Sequence, residues 1–388
     1  MTRPAAQISL LIANFIAGIA ILGPAGMLPQ LAGGLGVSVP SAGLLVTVGG
    51  VVLCIGSPLM VWATSAIERR RLLGGALIAV GVTQLVSALA PSFPALMALR
   101  IISMAFAALV TPQAASTVAL MVGERERPAA IVFVFLGFSL AVAAGLPIIA
   151  FLAAHAGWQI TFAAIGAAAI ANGLLVLLVV PGKLYASAIS LHSWGLLLRS
   201  RRVQLLLLLT LTNVTAQFTV FTYLAPLAAR LAHAGTGALA GLFVLFGVTG
   251  FLGNVIATRL VTTLGAYGTS ALSIGAMLIG LALWAFGAGI LAIMAAGIGF
   301  WGLGFAAINS MQQARLVACR PELSSASVSL NTSSVYIGQA IGSGLGGLLL
   351  AHDLPRALGY AAVVIMAAAL CLLTLTREAK AAQVTQAQ

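Results

Sequence analysis

Side chains able to do acid, base or nucleophilic chemistry are scarce in this 388-residue chain, and their positions limit what it can do. It holds 18 Lys+Arg, 6 Asp+Glu and 4 His. The acids Glu68, Glu124, Glu126, Glu322, Asp353 and Glu378 all fall in polar breaks between long apolar stretches. His155, His192, His233 and His352 fall there too. An intramembrane aspartyl protease needs two buried carboxylates, and a serine hydrolase needs a histidine base beside its nucleophile. Neither set is present, so no enzyme is expected. Proton relays across a membrane use Asp, Glu or His inside the spanning segments, so the same distribution weakens the case for proton coupling. Cys54, Cys319 and Cys371 are far apart and form no CxxC pair. That spacing points to no disulfide framework, no metal site and no cofactor.

Arg100 is the one ionisable residue well inside an apolar stretch. A charge there costs about 2.5–3.5 kcal/mol on insertion scales, so it should face a helix bundle or a cavity. Two readings stand: a binding or coupling residue that holds a substrate anion or dipole, or an arginine that snorkels to the nearby stretch end. Amides form the next set: Asn14, Gln113, Asn213, Gln217, Asn309, Gln312, Gln313, Asn331 and Gln339. Facing lipid they would leave donors and acceptors unsatisfied, so they should turn inward. There they either line a substrate cavity or join helices, at about 0.6 kcal/mol per interhelical hydrogen bond. Phe15, Tyr223, Trp301 and Tyr336 either wall such a cavity or simply pack. One deep charge among several amides fits a neutral or weakly polar small molecule better than a polycation.

Other residues concern shape. Gly338, Gly342 and Gly346 form a small-residue stripe at spacing four that lets helices approach closely. Gly145 and Pro147 predict a bend, read either as a hinge or as packing. Arg69, Arg70 and Arg71 in one polar break and Glu124 and Glu126 in another either pair as a gate or serve as topology signals alone.

The elements that must position these residues follow from composition. Hydrophobic residues make up 61% and charged residues 6%, with a mean hydropathy of +1.15. Such a chain cannot build a soluble surface, which excludes a soluble enzyme, a disordered chain and a free nucleic-acid binder. Twelve stretches are apolar and long enough to span: 8–31, 42–64, 72–90, 95–121, 129–153, 160–180, 204–229, 238–262, 269–288, 290–315, 323–350 and 356–376. Only Gly287, Ala288 and Gly289 mark the split between the ninth and tenth. The first run is too long for a signal peptide, and Pro24 and Pro29 interrupt the place of cleavage. With the N-terminus inside, fifteen Lys and Arg lie on the inner side, against Arg230 and Arg356 outside. The positive-inside rule then puts both termini in the cytoplasm and accounts for the net charge of +12. The expected partners are a lipid bilayer and a small-molecule substrate, without nucleic acid, and a monomer is expected.

The polar connection Pro181–Arg202 divides the chain into a six-span bundle at 1–180, a cytoplasmic linker at 181–203 and a second bundle with a short tail at 204–388. The halves echo one another. Gly56 precedes Ala63-Thr64 by seven residues, and Gly250 precedes Ala257-Thr258 by the same offset. Leu28-Pro29-Gln30-Leu31-Ala32 ends span one, and Ala225-Pro226-Leu227-Ala228 ends span seven. Corresponding placement suggests duplicated units, as in transporters built from repeats.

These residues resemble the major facilitator superfamily, and most closely its twelve-span drug:proton antiporter branch, which includes bacterial arabinose, purine and chloramphenicol exporters. The likeness rests on Gly26-Met27-Leu28-Pro29, Val37-Ser38, Ala42-Gly43-Leu44-Leu45, Ile67-Glu68-Arg69-Arg70-Arg71-Leu72 and Leu99-Arg100. Further matches are Gly137-Phe138-Ser139 with Gly145-Leu146-Pro147, then Gly157-Trp158-Gln159-Ile160-Thr161-Phe162. Span eight adds Phe246-Gly247 and Gly250-Phe251-Leu252-Gly253-Asn254. Ser65 stands where the branch carries an Asp, Ala66 where it carries a basic residue, and Ile21 where many relatives place an acid. Met104 and Ile149 replace glycines, and Gln159 an arginine. The resemblance implies an all-α membrane protein of twelve helices in two six-helix bundles, with spans one, four, seven and ten around a cavity. It also implies export of a drug, sugar, nucleoside or purine across the bacterial inner membrane by alternating access, coupled to protons. The departures keep two alternatives open: an uncoupled uniporter, and a transport-inactive sensor or scaffold.

Overall fold

A computed structural model describes residues 3–64, 66–123, 126–185, 191–320 and 323–377. Among them are helices only: α1 (Arg3–Gly26), α2 (Leu28–Leu35), α3 (Val39–Ala63), α4 (Arg69–Ser87), α5 (Phe93–Met121), α6 (Arg127–Leu140), a π-helical turn (Ala141–Gly145) and α7 (Leu146–Val179). After the connection come α8 (Leu191–Leu198), α9 (Arg201–Phe221), α10 (Leu224–Ala232), α11 (Thr236–Phe286), α12 (Leu291–Cys319), α13 (Ser324–Ala351) and α14 (Pro355–Leu375).

Nine of these helical segments are long and apolar enough to cross a membrane, against twelve stretches in the sequence. The difference has a local cause. Phe133–Val179 and Thr236–Phe286 each contain two of the expected stretches. Each is broken by one glycine outside helical geometry, Gly157 (φ 89°, ψ 161°) and Gly265 (φ 67°, ψ 174°). Positive φ costs glycine nothing, so each chain reversal needs one residue and no loop. The third case, α4, opens on Arg69, Arg70 and Arg71, which lower its apolarity.

The internal echo has a structural counterpart. The first long helix of each half is followed by a short one: α1 by α2 across Met27, and α9 by α10 across Tyr223. Both short helices end on a left-handed residue, Gly36 (φ 64°) and His233 (φ 51°). Helices of the first half pack mainly with one another, and so do α9–α14. Two seams join the halves: α3 against α13, and the π-turn with α7 against the first part of α11. The α3–α13 seam runs from Pro40 beside Gly347, through Thr47 bonded to Ser343, to Cys54 bonded to Ser333. It therefore closes the end away from the arginine-rich loops.

Candidate functional site

Arg100 belongs to α5 and is 4% exposed. Its Nη1 donates to Ala20 O at 2.6 Å, its Nη2 to Ile21 O at 2.6 Å and its Nε to Leu45 O at 3.1 Å. The sequence prepares these acceptors. Pro24 lies inside α1 and has no N–H, so the Ala20 carbonyl four residues earlier has no helical donor. On α3, a side chain at Gly49 would begin 3.0 Å from the guanidinium, so glycine makes the approach possible. Carbonyl dipoles from two helices face the charge, and the side chain does not snorkel. Arg100 thus ties α5 to α1 and α3.

The amides turn inward, as expected, and most of their bonds go to neighbouring helices. Asn14 donates to Val134 O across α1–α6 at 3.1 Å. Gln113 accepts from Arg69 Nη1 across α4–α5. Asn331 accepts from the Thr210 hydroxyl at 2.9 Å, and Gln312 donates to Leu206 O at 3.3 Å. Gln217 accepts from the Trp301 indole at 3.3 Å. All five amide side chains are buried, with Asn213 and Gln339. Several keep an unbonded buried atom: Asn14 Oδ1, Gln113 Nε2, Asn213 Oδ1, Asn331 Nδ2 and Gln339 Nε2.

The partly exposed members form a different set. On α12, Phe305, Asn309 and Gln313 are half-buried, and Asn309 donates to Phe305 O at 3.3 Å. Phe305 stacks on Phe221 of α9 (centroids 6.3 Å, 16°) and leans on Phe246 of α11 (4.9 Å). Trp301 meets both of these rings edge-on. The Phe305–Asn309 face therefore looks between α9 and α11, and α11 packs against the first half. Phe15, on α1, and Tyr336, on α13, are also half-buried. Tyr223, by contrast, is buried in the seam. Two shallow clefts on the apolar outer surface, one along Gly253–Leu260 and one along Ile279–Phe286, contain none of the candidate residues.

The stripe Gly338, Gly342, Gly346 lies against α9, where a Cβ at Gly338 would sit 2.7 Å from Leu211 O. Gly145 ends the π-turn and abuts Ile19 and Phe15 of α1, with Pro147 in the first turn of α7.

At the arginine-rich end the charged residues find local partners. Arg69 points into the first half toward Gln113. Arg71 pairs with Glu68 at 3.1 Å, three residues before it on the same turn. Glu68 also accepts from Lys183 N at 2.7 Å, which fixes the chain leaving α7. Glu126 is exposed and forms no ion pair with Arg70 or Arg71 among the described residues, while Glu124 lies outside them. The second half has an analogous clasp that sequence reasoning missed. Arg315 of α12 is buried, donating to Gln312 Oε1 (3.2 Å), Thr376 O (2.9 Å) and Thr376 Oγ1 (2.6 Å), with its guanidinium 5.4 Å from the Tyr267 ring. In each half, one arginine region binds an amide on the fourth long helix and the chain leaving the sixth.

A sequence model of the Major Facilitator Superfamily matches residues 10–318. The inner membrane transport protein YdhP of Escherichia coli (strain K12) is 28% identical over 370 residues, 93% of this chain and 92% of YdhP. Two solved structures share the fold. The nucleoside transporter NupG superposes with a TM-score of 0.77 at 11% identity, covering 98% of this chain and 100% of NupG. The human organic anion transporter MFSD10 (TETRAN) does so at 0.74 and 15% identity, covering 96% and 100%.

Proposed function

The chain belongs to the major facilitator superfamily, and from that premise we propose that it exports a small, neutral, ring-bearing organic molecule across the bacterial inner membrane by alternating access. That it is a membrane transporter and not an enzyme follows from the family. The substrate reading is carried by one observation: the half-buried Phe305–Asn309 step, backed by Phe221, Phe246 and Trp301. An aromatic face beside a carboxamide suits a planar ring with polar edges, such as a purine or nucleoside, or a flat drug. No Asp or Glu lies within any helix described here: Glu68 and Glu126 precede α4 and α6, and Asp353 follows α13. A cation would therefore lack a buried counter-charge. The positive-inside count supports both termini in the cytoplasm. In that orientation the end closed by the α3–α13 seam is the outer one.

Purified protein in proteoliposomes should move a labelled purine, nucleoside or flat neutral drug, and Phe305→Ala should weaken its binding roughly five- to tenfold, as loss of ring stacking worth about 1 kcal/mol implies. A permanent cation as preferred substrate, or binding indifferent to Phe305→Ala, would overturn this reading.

A second reading concerns coupling. The lack of helical carboxylates favours a carrier without a relay of buried acids, against the proton antiport implied by the branch resemblance. In vesicles carrying an internal pH dye, substrate addition should leave the lumenal pH unchanged. A substrate-driven proton flux would establish antiport instead.

A further inference from the structure

Tyr223 sits at the break between α9 and α10 and is 1% exposed. Its hydroxyl donates to Ser343 O of α13 at 3.0 Å. The pocket that receives the phenol is made of absent side chains. A Cβ at Gly43 of α3 would overlap the hydroxyl, one at Gly347 would lie 2.5 Å from it, and one at Gly346 would lie 2.9 Å from the ring. Gly43 belongs to the first half; Tyr223, Gly346 and Gly347 belong to the second. Beside the slot the Thr47 and Ser343 hydroxyls bond at 2.7 Å, one from each half. The equivalent break in the first half carries Met27, which has no polar tip to offer. A rigid ring with one donor, lodged between helices of opposite halves, resists separation of those helices more than loose apolar contact does. The Gly43 wall of its seat goes as soon as α3 leaves α13.

We propose that Tyr223 is the latch of the end remote from the arginine-rich loops, holding that end shut through a glycine slot that only the closed arrangement assembles. The latch rests on the alternating-access reading but is tested without any substrate. Spin labels are placed at Gly33→Cys and His352→Cys, on either side of the latched end, after replacement of Cys54, Cys319 and Cys371. A second pair at Ala66→Cys and Arg259→Cys reports the opposite end. Tyr223→Phe keeps the ring and loses one hydrogen bond. That bond lies within the second half, so Tyr223→Phe should leave the open-to-closed ratio near the wild-type value. Tyr223→Ala, which empties the slot, and Gly43→Leu, which fills it, should raise the ratio tenfold or more, while the second pair shifts toward shorter distances. An unchanged Gly33–His352 distribution in Tyr223→Ala and in Gly43→Leu overturns the latch. The transport reading fails separately, if wild-type protein moves none of the labelled solutes. Gly43→Ala intrudes on the same hydroxyl with a single methyl group and should raise the ratio in the same direction, so a result survives even if the larger changes impair folding.

Discussion

Arg100→Gln should cost about 2–4 kcal/mol of stability and abolish transport, and Pro24→Ala in the same chain should return part of the stability. Three carbonyls receive the guanidinium, and they are not equivalent. Ile21 and Leu45 each have a backbone N–H four residues ahead, on Ala25 and Gly49, so their oxygens keep a helical partner without Arg100. Ala20 has none, because the residue four ahead is Pro24. A glutamine at position 100 is too short to reach all three acceptors, and a buried acceptor left unsatisfied costs about 1–3 kcal/mol. The double variant tests this directly. Pro24→Ala supplies the missing N–H, so thermal unfolding of Pro24→Ala/Arg100→Gln should exceed that of Arg100→Gln. Additive effects of the two changes would show that the Ala20 carbonyl is not the point of strain. Arg100→Lys separates holding the helices from handling substrate. A single ammonium can engage one or two of the carbonyls, so stability should recover more than transport if the planar fork itself takes part in the transport cycle.

The membrane-spanning character of the helices was legible because lipid imposes one rule on every crossing segment: the side chains must be apolar and the backbone must bond to itself. The single-residue reversals at Gly157 and Gly265 were less so, since hydropathy averages over a window and one glycine leaves no polar gap. That the amides turn inward was also readable, because the cost of an amide facing lipid depends on residue type alone. What "inward" meant was not. Asn14 meets the carbonyl of Val134, 120 residues away, and no local pattern distinguishes such a partner from a cavity. Phe305 shows the converse. It is one of 16 phenylalanines, and it stands out only when Phe221 and Phe246 are seen beneath it. Arg315 was counted among the topology charges, being the last residue of an expected stretch. Its burial depends on Thr376, which arrives from the far end of the half. Arg69 was hidden by position of another kind: three adjacent arginines look alike in sequence, but a helical turn sends them in different directions.

Two glycine substitutions of equal steric size should have opposite kinds of consequence. Gly137 lies in α6 against α1, and a Cβ there would overlap Leu11 O and lie 2.9 Å from Phe15 N. Gly247 lies in α11 against the π-turn, and a Cβ there would overlap the backbone of Ala143. By contact alone both positions forbid leucine, and overpacking of this kind costs about 1–3 kcal/mol or more. The difference is what can yield. Helices α1 and α6 belong to the same half and share the Asn14–Val134 bond, so no motion between halves separates them. Gly137→Leu should therefore leave little monodisperse protein. The contact at Gly247 is a seam between halves, and the π-turn presents Ala143 to it through a local departure from α-helical spacing of the kind often found at functional sites. Opening that seam relieves the clash without unfolding either half. Gly247→Leu should be purified in near-normal yield, show increased labelling of a cysteine at Ala143, and transport at under a tenth of the wild-type rate. Equal loss of folded protein in the two variants would mean that the π-turn and α11 part only when the bundle itself comes apart, and a carrier that rocks about this seam would then be excluded.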